Sequence, residues 1–357
     1  MEVEEESSRK VRVTGTLQRE SWKTPNLPPC EQVRPGIWSI PVPIPNNPLR
    51  YVLTYVIEDG ERLIVIDPGW EADEAWDALM AGVNFMGGSA ESVSLILVTH
   101  IHPDHYGLAG RLREVSGAPV ALHPADARVL PMRQGLGVYE VIEEMRALLE
   151  LAGVPLSDRA SLTERSAGMR QVTDLILPDI LIEDGEYAPA ESRRIRAIWT
   201  PGHSPGHLCF VEEELGLMLS GDHVLPRITP NVGLFHSAGG DPLFDYVASL
   251  NKVRNTVCSE VLPAHEWRFD GLSARVDELL DHHHRRLDEI SKLMESGTTT
   301  AYDLAVRLSW SQRWEGMTPF MKRAAVGETL AHLVFLANRG DVERVEGSVL
   351  HWNLAPA

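Results

Sequence analysis

The chain has 357 residues and a hydrophobic content of 43%, enough for more than one domain around a sizeable core. Its 51 acidic and 33 basic residues give a formal charge of −18, and from Arg285 onward nine basic residues balance nine acidic ones, so the whole excess lies in residues 1–284. Such an acidic region repels nucleic-acid phosphates at long range, no run approaches the roughly 20 apolar residues of a membrane span, and three scattered cysteines, Cys30, Cys209 and Cys258, do not form a disulfide framework.

Residues 1–30 read as a flexible leader. Met1 to Arg19 is charged and polar, with four glutamates among the first six residues, and it lacks the basic end and apolar core of a secretory signal, which points to the cytoplasm. Pro35-Gly36 opens a series of β segments. Ile37 to Ile44 mixes apolar residues with prolines, as an edge strand does. Tyr51–Ile57 and Arg62–Ile66 are joined by Glu58-Asp59-Gly60-Glu61, a hairpin composition. Helical spacing over Glu71–Val83 precedes the apolar run Leu95–Val98, a buried strand.

That strand delivers T-H-I-H-P-D-H-Y-G at 99–107, with His100, His102, Asp104 and His105 inside six residues. Imidazole and carboxylate are the usual donors for zinc and similar divalent ions. One ion cannot use all four, because neighbouring side chains diverge and Pro103 turns the chain; the spacing therefore points to two metal positions. Leu108, Leu112 and Val115 continue at helical intervals, so a helix over His105–Val115 starts at the cluster, and Pro119–Leu122 is the next strand.

Residues 125–170 form a helical insert. Val138, Val141, Ile142, Met145, Leu148, Leu149 and Leu151 make an apolar stripe, Gly153-Val154-Pro155 ends it, and Asp158–Arg170 is a polar, mobile connection. The insert reads either as a helical pair packed on the core or as a wall over the metals that shapes an apolar substrate pocket. Strands then resume at Leu175–Ile182, Arg194–Trp199, Leu208–Val211, Leu215–Leu219 and Val261-Leu262. His203, Asp222 and His265 each sit where such a strand gives way to a loop, the place where open sheets gather functional residues. With the first cluster they make seven ligands, enough for two ions sharing one carboxylate. Ile228–Asp241 is a long loop beside Asp222, and Asp245–Val257 is helical. Beyond Asp270 come three helices, Leu272–Met294, Tyr302–Leu308 (capped by Gly297–Thr300) and Phe320–Ala337, followed by a hairpin over Val342–Trp352.

The motif H-x-H-x-D-H followed by separate His, Asp and His resembles the metallo-β-lactamase superfamily, with a glyoxalase II-like ligand set, over about Pro35 to Arg268. The resemblance implies an α/β (α+β) fold: an αββα sandwich over residues 31–270, then a small helical winged-helix-like domain over 271–357. It implies His100, His102 and His203 on one ion, Asp104, His105 and His265 on the other, Asp222 bridging them, and Asp67 of V-I-D-P-G as a supporting carboxylate. Two divalent ions are expected, zinc first, with manganese or iron as alternatives. The implied reaction is hydrolysis of an ester, thioester or lactone by a metal-bridging hydroxide, with Asp104 and Asp222 as the catalytic carboxylates. A phosphodiesterase or ribonuclease with the same site, and a mononuclear iron enzyme like the persulfide dioxygenases, are the alternatives; a non-catalytic binding protein is the bland one. No cysteine stands where zinc β-lactamases use one in place of Asp222, which argues against penicillin hydrolysis. Glu266-Trp267-Arg268 lacks the basic pattern with which hydroxyacylglutathione hydrolases hold glutathione.

The remaining histidines carry less. His207 reads as a structural group of the His203 turn, and His223 and His236 as weaker candidates for a supporting or substrate-contacting role. His123, His332 and His351 read as core residues, Cys209 as a buried small hydrophobe, and His282–His284 as a partly solvated helix face. The expected partner is a small-molecule substrate, with nucleic acid the less favoured alternative, no membrane, and a homodimer left open. Residues 271–357 read as a packing, dimerisation or pocket domain, since Phe320–Ala337 offers little cation beyond Lys322 and Arg323.

Overall fold

The computed structural model describes residues 10–130, 138–163, 176–234 and 240–356, without the side chains of 138–141. The chain divides into two compact units. The first comprises Met1–Gly135, Gln171–Pro230 and Ser249–Asp277; the second comprises Leu136–Arg170, Asn231–Ala248 and Glu278–Ala357.

The first unit is a two-sheet sandwich. Strands β2 (Glu31–Arg34), β3 (Ile37–Pro43), β4 (Tyr51–Asp59), β5 (Arg62–Ile66), β6 (Val93–Leu97), β7 (Val120–Leu122) and β8 (Ile180–Leu181) form a seven-stranded sheet in sequence order. The second sheet has the order β1 (Arg12–Val13), β13 (Phe269–Asp270), β12 (Glu260–Pro263), β11 (Leu217–Gly221), β10 (Leu208–Glu212), β9 (Ile195–Trp199). Side chains alternate across a strand, and here both faces of the first sheet are apolar. Leu53, Tyr55 and Ile57 of β4 and Ile64 and Ile66 of β5 join Phe210, Leu217, Leu219 and Leu262 of the second sheet in one buried cluster. Val52, Val56, Leu63 and Val65, on the opposite face, pack with Ala75, Leu79 and Val83 of helix α2 (Asp73–Phe85) and with Leu112 of α4 (Ala109–Ser116). Burial on both faces accounts for the near-continuous apolar runs.

Several expectations change here. Ile37–Ile44 is not an edge strand: β2 pairs with it over Glu31–Arg34. Pro41 and Pro43 lie past the end of that pairing, where a missing N–H costs no ladder bond. Part of the expected leader is ordered. Arg12 and Val13 pair with β13, and in helix α1 (Thr16–Ser21) Gln18 is buried, donating to Ser39 Oγ at 3.1 Å and accepting from the Arg268 N–H at 2.9 Å. The helix expected over His105–Val115 is two pieces, α3 (Pro103–Tyr106) and α4. The strand expected at Leu175–Ile182 shrinks to β8, and Leu175 lies outside the described residues.

In the second unit the insert supplies α6 (Val138–Leu151) and α7 (Leu156–Leu162), the latter after α5 (Pro124–Ala127) of the first unit. Asp158 to Leu162 is therefore helical and not a mobile connection; residues 164–170 lie outside the described part. The partner of these helices is the C-terminal segment. Helix α8 (Pro242–Val253), which begins and ends earlier than expected, and α9 (Leu272–Met294) each run across the boundary between the units. They are followed by α10 (Ala301–Arg307), α11 (Pro319–Arg339) and an antiparallel pair, β14 (Val342–Val345) with β15 (His351–Leu354). The Tyr302 N–H donates to Ala152 O at 2.9 Å, the Leu350 N–H to Leu151 O at 2.8 Å, and Arg323 Nη1 to Leu162 O at 2.6 Å. Thr300 starts α10 in a reciprocal cap with Asp303, and Gly340, at φ +82°, ends α11. His332 is buried as expected, whereas His351 is exposed at the end of β15, where side chains alternate outward.

Candidate metal centre

Every expected ligand lies where a strand runs out. After β6 the chain passes Thr99 to His100 and His102, and α3 then carries Asp104 and His105 with Pro103 at its first position. Past β9 the turn Thr200-Pro201-Gly202 leads to His203. Gly221 ends β11 just before Asp222, and β12 is followed by Ala264 and His265. Gly221, at φ +50°, has no alternative: a Cβ there would stand 2.7 Å from His207 Nε2 and 2.9 Å from Thr99.

The structure brings all seven together. His102 Nδ1 lies 2.8 Å from His100 Nε2 and 3.0 Å from His203 Nε2, so three ring nitrogens face one point. Asp104, His105 and His265 form a second group, with His265 Nε2 3.4 Å and His105 Nε2 3.8 Å from Asp104 Oδ2. Asp222 reaches both: Oδ2 is 3.5 Å from His203 Nε2 and 3.6 Å from His105 Nε2, and Oδ1 is 3.3 Å from His265 Nε2.

Hydrogen bonds behind the rings decide which nitrogens are left for an ion. His265 Nδ1 donates to Tyr51 O at 3.0 Å, and His105 Nδ1 to Asp67 Oδ2 at 2.8 Å. Their Nε2 atoms and Asp222 Oδ1 are buried and make no hydrogen bond among the described residues. Buried polar atoms rarely stay so, and a donor set of imidazoles and carboxylates around them suits divalent cations. The residues present therefore fit divalent metal.

Electrostatics points the same way. Burial, together with the His203 ring, lowers His102 to about 3, and burial with its histidine neighbours lowers His100 well below the usual imidazole range, so both present neutral lone pairs. Burial also acts downward on His265 and His105. There the carboxylates prevail, Asp222 and Asp104 raising His265 to about 10, and Asp67, Asp222 and Asp104 raising His105. The carboxylates that favour a proton on these two rings equally favour a cation beside them.

Asp67, at φ +54° and expected as a supporting carboxylate, accepts from His105 Nδ1 and also from Thr99 N and Thr99 Oγ1, each at 2.8 Å. His207 bonds Thr200 Oγ1 at 2.8 Å and accepts from the Asp222 N–H at 3.1 Å, which makes it a brace of the His203 turn and the Asp222 strand end. His223 is fully buried, and burial lowers it to about 3. His123 caps α5 and stacks on Trp199, with ring centroids 4.9 Å apart. His236 lies outside the described residues.

One residue went unnoticed in the sequence. Asp126, fully buried, accepts from Ile101 N at 3.0 Å, Ser204 Oγ at 2.9 Å and Gly206 N at 2.6 Å. It ties the first histidine loop to the turn that carries His203. Its only local signal is its place in H-P-A-D just past β7, another strand end.

Comparison with known proteins agrees with this geometry. The family model described as "Metallo-beta-lactamase superfamily" matches residues 47–265. The "Lactamase-like protein ptaB" of Pestalotiopsis fici is 26% identical over 83% of this chain and 82% of its own length. An "Atrochrysone carboxyl ACP thioesterase" of Aspergillus fumigatus is 27% identical over 71% of this chain, which spans about half (47%) of that relative. Among solved structures, a metallo-beta-lactamase family protein from Thermus thermophilus superposes with a TM-score of 0.76 at 30% identity, over 90% of this chain and 100% of that one. A Beta-lactamase domain protein from Burkholderia ambifaria gives 0.70 at 24% identity over 91% and 95%, a likeness of fold. The chain belongs to the metallo-β-lactamase superfamily and is a hydrolase of that αββα fold.

Proposed function

We propose that this hydrolase is a dinuclear metal-dependent thioesterase. The observation that carries the metal reading is Asp222, whose two oxygens face His203 and His105 on one side and His265 on the other. His100, His102 and His203 would hold one ion, Asp104, His105 and His265 the other, with Asp222 shared between them. Two such ions supply a nucleophile from water at neutral pH and polarise the carbonyl under attack. The chain's own part is to hold that geometry. Tyr51 O and Asp67 fix the ring orientations of His265 and His105, and Asp126 locks the two histidine loops together. Asp104 and Asp222 lower the net charge of the pair, and Asp104 Oδ2, on the less buried of the two carboxylates, is placed to accept a proton.

The thioester class is supported by the thioesterase name borne by curated relatives. The acidic charge disfavours phosphodiester polymers. Zinc is the first choice of metal because imidazole donors dominate the set. The test is to assay chelated and metal-reloaded protein on an acyl thioester, a p-nitrophenyl ester and bis-p-nitrophenyl phosphate. Thioester turnover that returns with about two ions per chain is the expected outcome. Turnover of the phosphodiester alone would overturn the thioesterase reading, and full activity with one ion per chain would overturn the dinuclear one.

A further inference from the structure

An acidic chain carries an unexpected concentration of cations beside two of its metal-ligand loops. Arg50 lies over Trp22 with its guanidinium carbon 5.7 Å from the ring centroid, and Arg227 lies over the same indole at 5.8 Å. Arg227 is also 5.6 Å from the Trp267 ring, and Arg19 is 5.9 Å from it. The two indoles themselves are 6.5 Å apart, edge to face. Three guanidinium groups thus gather on a pair of touching indoles, and Lys23 follows Trp22 in the chain. Arg50 directly precedes Tyr51, whose carbonyl holds His265; Trp267 is two residues past His265, and Arg227 five past Asp222.

The charge balance of this patch is specific. Arg227 is neutralised by the buried Glu266, with Nε at 2.7 Å and Nη2 at 2.6 Å from Oε1. Among the described residues Arg50 donates only to main-chain carbonyls, Ser21 O at 3.1 Å and Asn26 O at 2.8 Å, so its charge is positioned without an ion pair there. Neither Arg19 nor Lys23 makes an ion pair among the described residues, and both are exposed. The guanidinium groups held on aromatic faces keep their planes ordered and their outer N–H donors available. An ordered set of cations of this kind matches a phosphate oxyanion, which takes several such donors at once.

Resting on the thioesterase reading, we propose that Arg19, Arg50 and Arg227, seated around Trp22 and Trp267, together with the exposed Lys23 that follows Trp22 in the chain, bind the phosphate of a thioester's thiol arm. The substrate class is then an acyl thioester of a phosphorylated pantetheine arm, as found in coenzyme A and on carrier proteins. The phosphate docks on the patch and the thioester carbonyl reaches the metal centre along the arm.

The experiment compares one acyl group as its thioester with pantetheine and with 4′-phosphopantetheine, on metal-loaded full-length protein. The phosphorylated arm should raise kcat/KM about tenfold, the scale of one charge-assisted contact, and R19A/K23A, altered away from the metal ligands, should bring the ratio to within about twofold of unity. Raising the salt should shrink the same ratio. A ratio near one in the unaltered protein, or one that survives R19A/K23A, overturns the patch while leaving the thioesterase reading intact. Coenzyme A and carrier-protein thioesters of the same acyl group then name the source, a preference for either supporting the patch. If no thioester is hydrolysed, the thioesterase reading fails on its own, and calorimetry with 4′-phosphopantetheine decides the patch. Binding that weakens about tenfold in R19A/K23A supports it, and no binding overturns it.

Discussion

Two histidine clusters in this chain have opposite chemistry. In the first unit, His105 and His265 spend Nδ1 on Asp67 and on Tyr51 O, and their Nε2 atoms turn toward Asp104 and Asp222. In the second unit, His332 Nδ1 donates to Glu328 O at 2.8 Å, which leaves its Nε2 to accept from His283 Nδ1 at 3.2 Å. The two rings use one another, with no carboxylate bonded to either among the described residues. Burial lowers His332 to about 4 and lowers His283 well below the usual imidazole range, and among the described residues no carboxylate raises them back as Asp222 and Asp104 raise His265. In this chain the imidazoles whose outward nitrogens converge with carboxylates form the candidate metal centre, whereas His283 and His332 are a hydrogen-bonded pair in the core.

The sharpest way to break that comparison is Asp222→Ala. Removing the shared carboxylate should cut turnover by more than about a hundredfold, beyond the roughly 10–100-fold of outer-shell changes, and lower the metal content measured by elemental analysis. Near-normal turnover would refute the shared-carboxylate centre. Asp126→Ala should act next most strongly. It leaves every ligand in place but unties the two loops, so metal affinity, read by competition with a chromophoric chelator, should fall about 10–100-fold. An unchanged affinity would reduce Asp126 to local packing.

The second-unit cluster should answer differently. His283→Leu should leave the metal content as it was and cost about 1–3 kcal/mol in urea unfolding, because His332 Nε2 loses its donor inside the fold. Loss of metal with H283L would contradict the division drawn here. The smallest effect concerns Glu328, whose carboxyl burial raises to about 7, against an opposing pull from Arg286. A raised folded-state value stabilises fully below the ordinary range near 4.5 and is lost as pH rises through about 7. Glu328→Gln should therefore match the unaltered protein at about pH 4 and melt a few degrees higher at about pH 8. Parallel melting curves at both values would show that Glu328 ionises freely.

Much of the centre was legible in one dimension. His100, His102, Asp104 and His105 lie within six residues, and His203, Asp222 and His265 each follow an apolar run, so local spacing and strand periodicity expose them. Asp126 stayed hidden because its three donors, at Ile101, Ser204 and Gly206, are contributed by segments up to 80 residues away. The Arg50, Arg227 and Trp267 patch was equally invisible, since its parts come from four separate stretches of chain.

By itself the sequence determined what is written locally: the apolar alternation that makes strands, the donor types beside them, and the end of α9 at Met294. Tertiary structure decided the rest. It chose which ring nitrogen faces inward, made an interior strand of Ile37–Pro43, folded part of the leader onto β13, and paired the insert's helices with the C-terminal ones. The physical reason is range. Periodicity and spacing record contacts between near neighbours, whereas tautomer, burial and charge balance depend on groups that only folding brings within hydrogen-bonding distance.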